Sequence, residues 1–133
     1  MTNRIYITHC SRKKDDSLKN SNARVTPDKL YTARFVKYFI RRCKLRNVKW
    51  AIFSDQFGVV FPTDKIPWYD KSPDSVTEED REALFRDTLN KIKGYQVWFY
   101  RLFHFHHFYR DLLDDLKKAG IDINIFWHLD EIV

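Results

Sequence analysis

The chain has 133 residues, 44% hydrophobic and 17% aromatic, and a net charge of +6. That size fits one domain, residues 1–133, and the composition excludes disorder throughout. No apolar run nears the roughly 20 residues of a membrane helix, and Met1 to Asn3 begin no signal-peptide core, so a cytoplasmic protein without a membrane partner is expected; two cysteines, Cys10 and Cys43, are too few for a disulfide framework.

Residues 5–8, Ile-Tyr-Ile-Thr, read as a first buried strand. A polar, basic loop follows over residues 9–25. The first helix opens with Thr26 as N-cap and Pro27 at its first position, runs through Ala33, Val36, Ile40 and Cys43, and stops at Asn47. Residues 49–54 form a second strand. The loop 55–74, with Pro62, Pro67, Pro73 and Trp68, is too long for a simple connector and reads as an ordered lid or site wall.

The second helix begins at Ser75 or Thr77, where Glu78 and Asp80 give capping-box spacing, and buries Leu84, Phe85, Leu89 and Ile92 before Gly94. Residues 96–100 are a third strand. The third helix runs from about Phe105 through Phe108, Leu112 and Leu116 to Ala119, ahead of Gly120, and residues 121–127 are a fourth strand. Trp50, Trp98 and Trp127 fall in strand runs and are expected in an aromatic core. The order β-α-β-α-β-α-β predicts a three-layer α/β/α domain, Rossmann-like, with a four-stranded parallel sheet ordered 2-1-3-4.

Ligands of such sheets bind beyond the strand carboxyl ends. That selects His9, Cys10, Ser11, Arg12, Lys13 and Lys14 after the first strand, and Ser54, Asp55, Gln56 and Gly58 after the second. Arg101, His104, His106 and His107 follow the third, and His128 and Asp130 the fourth. His9-Cys10 before a basic loop suggests a thiol phosphatase, but Asp16 stands where the phosphate-gripping arginine belongs. The run His104, His106, His107 invites a metal, yet no acidic or cysteine ligand has diagnostic spacing, so neither metal nor cofactor is expected. His104 or His128 suits general acid or base work better.

Charge is polarised. Residues 1–50 hold 14 Lys and Arg against Asp15, Asp16 and Asp28, net +11, whereas the rest holds 10 against 15 acids, net −5. On the first helix Arg34, Lys37, Arg41 and Lys44 recur every three or four residues as one cationic stripe. Such a stripe is often only a solvated face. Together with Arg12, Lys13, Lys14, Lys19 and Arg24 it suits phosphate-backbone contact, with Tyr31, Trp68 or Tyr69 stacking a base or else packing in the core.

Cys10-Ser11 with Lys13 or Lys14, Leu30-Tyr31 with Phe35, Ile52-Phe53-Ser54 through Gly58-Val59 to Pro62, and Ile66-Pro67-Trp68-Tyr69-Asp70 carry a resemblance. Over roughly residues 5–70 the chain resembles an uncharacterised family of small prokaryotic and viral proteins with a Cys-Ser-x-x-Lys strand-end motif. That family is distantly similar to the uracil-DNA-glycosylase-like domain of archaeosine synthases, transfer-RNA-modifying relatives of transglycosylases. The resemblance implies a uracil-DNA-glycosylase-like four-stranded parallel sheet and a pocket of Cys10, Ser11, Tyr31, Ser54, Gly58 and Tyr69. The chain departs from true uracil-DNA glycosylases in lacking Asp-Pro-Tyr after the first strand and in ending its last strand with His128-Leu129-Asp130 instead of His-Pro-Ser.

The expectation is therefore a domain that binds nucleic acid or a nucleotide, with a strand-end pocket for a base or ribosyl group, serving RNA or DNA modification. Arg12, Lys13, Lys14 and the helix stripe would hold phosphates. Cys10, Ser54, Asp55, His104 and His128 are the candidate catalytic groups, Asp55 as acid-base carboxylate and Cys10 as nucleophile. A binding-only accessory module and a small-molecule enzyme using Cys10 are the alternatives, and whether the chain is an enzyme is left open.

Overall fold

Alternating apolar residues build the centre of the molecule. The computed structural model describes residues 3–102 and 106–133. In chain order its elements are β1 (Asn3–His9), β2 (Arg24–Val25), α1 (Pro27–Leu30), α2 (Arg34–Arg46), β3 (Trp50–Ser54), β4 (Gly58–Val60), β5 (Ile66–Pro67), α3 (Glu78–Ile92), β6 (Tyr95–Tyr100), α4 (His107–Lys118) and β7 (Ile123–Phe126).

Among the described residues the main sheet has five strands in the order β4-β3-β1-β6-β7. β3, β1, β6 and β7 are mutually parallel, with Tyr6 opposite Trp50 and Trp98, and Tyr100 opposite Phe126. The all-parallel, four-stranded expectation needs correcting, because β4 folds back antiparallel on β3, pairing Ser54 with Gly58. Its loop of Asp55, Gln56 and Phe57 ends at Gly58 with φ +74°, the left-handed residue such a three-residue hairpin requires.

Side-chain alternation places helices on both faces. On one face Tyr6, Trp98, Tyr100 and Phe126 pack together, and Tyr100 stacks on Phe39 of α2. On the other, Ile7, Phe53, Val97 and Phe99 meet Thr88 and Ile92 of α3 and Leu112, Leu113 and Leu116 of α4. Arg81 of α3 joins Asp115 of α4 at 2.6 Å. Trp50 is in this core, but Trp127 is 47% exposed, contrary to the expectation for the last strand. No described helix is long and apolar enough to cross a membrane.

The helix expected from Thr26 to Asn47 is two helices. It breaks at Tyr31 because the backbone there pairs with the first long loop: the Asp15 N–H donates to the Leu30 carbonyl at 2.9 Å, and the Thr32 N–H to the Lys13 carbonyl at 3.2 Å. Those tertiary bonds outrank another helical turn. Asn47 does take the left-handed stop, at φ 52°. The two long loops also pair with each other, β2 antiparallel to β5 through Val25 and Ile66.

Candidate functional site

The chain leaves β1 toward β3 and leaves β6 toward β7, so strand order reverses between β1 and β6. A cleft of about 280 Å³ opens beside this point, lined by residues that follow β1 and β3, by the second long loop and by the start of α4. His9 to Arg12, Asp55, Asp70 to Pro73, His106 and Tyr109 form its walls.

Each wall has a local cause. The Cys10 N–H donates to the Phe53 carbonyl at 2.8 Å, which prolongs the β1–β3 ladder and places Cys10 beside the β3 hairpin turn. In that turn the Ser54 Oγ accepts the N–H groups of Gln56 and Phe57, both at 3.1 Å, and so fixes the backbone that carries Asp55. Ser54 is 0% exposed and is not part of the cleft lining. With both lone pairs engaged, its hydroxyl donates to Tyr69 Oη at 2.9 Å, and Tyr69 meets Tyr31 Oη at 2.7 Å. Ser54 is therefore a positioning residue, corrected from the catalytic set.

The floor is acid, thiol and phenol. The Cys10 thiol donates to Asp55 Oδ1 at 3.6 Å, which leaves the Tyr109 hydroxyl as donor to Cys10 Sγ at 3.4 Å. Burial, reinforced by the Asp55 charge, pushes the Cys10 thiol up. Burial also raises the Asp55 carboxyl, against the opposing pull of its Cys10 hydrogen bond and of Lys14 and Lys71. At neutral pH Cys10 is thus held as a thiol, the reverse of the environment that activates a nucleophile. A buried carboxyl with a raised pKa is suited to exchanging protons.

His9 donates from Nδ1–H to the Cys10 carbonyl at 2.8 Å, stacks on Tyr109 and meets Phe35 at a tilt. Burial lowers its pKa, so it is neutral there. His106 caps α4, its Nδ1 accepting the Phe108 N–H at 3.0 Å, while its Nε2–H donates to Asp74 at 2.7 Å and ties the loop wall to the helix.

Several sequence candidates lie elsewhere. Tyr31 is 0% and Tyr69 8% exposed and their rings meet in a T shape, so neither offers a ring face to a base. Lys14 is buried, its ammonium over the Tyr69 ring at 4.3 Å and donating to the Arg12 carbonyl at 3.3 Å, so it supports the loop from inside and is not in the cleft wall. Ser11 does line the cleft, its hydroxyl donating to the Lys13 carbonyl at 2.7 Å. Gly58 faces α3 instead: a Cβ there would lie 2.5 Å from Asp87 Oδ2. Gly58→Ala should lower stability by about 1–2 kcal/mol through its left-handed backbone; an unchanged urea midpoint would refute that role.

His128 is exposed beyond β7 and is not part of the cleft lining. The His104 assignment lies outside the described residues. Among the described residues, no three His, Cys, Asp or Glu side chains are placed to hold a metal ion. Arg12, Lys13, Arg34, Lys37, Arg41 and Lys44 are all exposed, and Arg12 reaches the cleft rim. Lys44 is joined to Asp28 at 2.9 Å.

Tyr109 and Lys71 were missed as cleft residues. Tyr109 sits on the apolar face of α4 and reads as core; its signal is a hydroxyl in the first turn after a strand end. Lys71 is hidden in the proline-rich loop, marked only by its place between Tyr69-Asp70 and Pro73. Comparison with protein-family models, curated proteins and solved structures finds no match to this chain.

Proposed function

We propose that this chain is a nucleic-acid- or nucleotide-binding domain that takes a base or ribosyl group into the cleft at Cys10 and Asp55, in the service of RNA or DNA modification. The observation that carries this reading is the joining of a buried acid-thiol-phenol floor to an exposed cationic approach. Arg12 and Lys71 flank the floor, and Lys13 lies beside the start of α2 through its carbonyl bond to Thr32. From there Arg34, Lys37, Arg41 and Lys44 extend over ten residues of helix, about 15 Å. The resemblance over residues 5–70 supports the same reading, along with a uracil-DNA-glycosylase-like or Rossmann-like assignment of the sheet. A cytoplasmic setting is part of the proposal, supported by the free cysteines Cys10 and Cys43.

Titration with a single-stranded oligonucleotide at several salt concentrations tests the cationic approach. Affinity should fall with a log-log slope of roughly −3 to −4, as expected for about five phosphate contacts. Each of Arg34→Ala, Lys37→Ala and Arg41→Ala should flatten the slope by roughly 0.7. Absence of binding to oligonucleotide and mononucleotide alike at low salt would remove the reading.

The raised Asp55 carboxyl favours a catalytic version of this reading. There Asp55 holds and returns a proton at the ligand, while Cys10 serves as hydrogen-bond donor to Asp55 in place of a nucleophile. The binding-only alternative uses the same cleft without that proton exchange.

A further inference from the structure

Trp127 is the largest exposed aromatic side chain among the described residues. An exposed tryptophan alone is ordinary surface, but the position of this one is not isolated. It follows β7 directly, at the carboxyl-end edge that also carries Cys10, Asp55 and Arg12. β7 stands two strands from β1 in the sheet, about 10 Å away.

The indole is also held in place. Arg101, whose N–H donates to the Phe126 carbonyl at 2.9 Å, puts its guanidinium 4.7 Å from the Trp127 ring centre. The backbone N–H of Trp127 reaches the Glu131 carboxylate at 3.4 Å and fixes the main chain that carries the ring, and the turn at Leu129–Glu131 is anchored where Arg42 donates to the Ile132 carbonyl at 3.1 Å and Ile132 is fully buried. A half-exposed aromatic plane with a guanidinium over its ring, on an edge that also bears Arg12 and Lys13, offers a base the ring surface that Arg101 does not cover and its phosphate a positive neighbour. Duplex DNA keeps its bases stacked on each other and does not present them in this way.

We infer that Trp127 is a stacking platform for a base of single-stranded nucleic acid, one step along the strand from the nucleotide in the Asp55 cleft. This rests on the reading proposed above and makes the ligand a strand, not a free nucleotide.

The test compares a short single-stranded oligonucleotide with a 5′-mononucleotide, using the folded chain, Trp127→Ala and Trp127→Phe. Trp127→Ala should weaken the oligonucleotide roughly 5- to 100-fold and leave the mononucleotide unchanged, whereas Trp127→Phe should keep most of the affinity. The fluorescence quenching that oligonucleotide causes should shrink in both variants. Unchanged oligonucleotide affinity in Trp127→Ala overturns the inference and leaves the cleft reading standing. Equal loss for both probes also overturns it, since the mononucleotide has no second base to stack. Failure of the unaltered chain to bind either probe overturns both readings.

Discussion

Asp55→Asn is expected to weaken nucleotide or oligonucleotide binding roughly 10- to 100-fold, by removing the carboxyl that would hydrogen-bond the ligand, while making the protein more stable at pH 7. The second half follows from the sign of the shift. Burial holds the folded Asp55 pKa above its ordinary value near 3.8, so between those two values the folded chain binds more protons than the unfolded chain. Asp55's contribution is then fully present below about pH 3.8 and is lost as pH rises through the folded pKa. At neutral pH the buried carboxyl is therefore a cost to the folded state, and asparagine removes it. Thermal unfolding of both proteins should therefore show the variant ahead at pH 7, with the gap closing as pH falls toward 4. A variant less stable at pH 7 would make Asp55 a stabilising paired carboxylate, not a group held for a ligand.

Tyr69→Phe is the second large effect. Tyr69 Oη takes the Ser54 hydroxyl and meets Tyr31, and all three groups are buried. Removing it strands two hydroxyls at once and should cost about 2–3 kcal/mol. Tyr31→Phe removes only the end of the chain and should cost nearer 1 kcal/mol. Urea midpoints measure the difference, and equal small losses would show that the three hydroxyls do not act as one chain. Ser54 also fixes the turn under Asp55, so Tyr69→Phe should weaken ligand binding as well, without touching the cleft itself.

The parallel strands, the helix ends at Asn47 and Thr77 and the sheet edge that carries the cleft were legible in the sequence, because periodicity and end signals are local. β4 was not read. Its three residues lack alternation, and only the spacing of Gly58 after Ser54 marks a hairpin. The break at Tyr31 had no local signal, since it comes from bonds that Leu30 and Thr32 make to Asp15 and Lys13 in the preceding loop.

Cys10, Ser11, Arg12 and Asp55, selected by their position at strand ends, which fold class alone specifies, line the cleft. Tyr31, Tyr69, Ser54 and Lys14 were singled out, and the structure buries all four behind the cleft wall, the packing alternative in the case of the two tyrosines. A sequence shows that a polar group lies near a site; whether it faces the ligand or props the wall depends on burial. Trp127 was misplaced for the opposite reason. Apolar character predicted core, yet β7 ends one residue earlier, at Phe126, and Trp127 is left outside.

Mapping amide chemical shifts during titration with a single-stranded oligonucleotide at low salt tests the central claim most directly. The perturbed amides should fall on Cys10 to Lys13, Asp55 to Phe57, Lys71 and Ser72, and the first turns of α2, along one edge of the sheet. Perturbation confined to the acidic α3 face, or none at all, would contradict a nucleic-acid site at the strand ends.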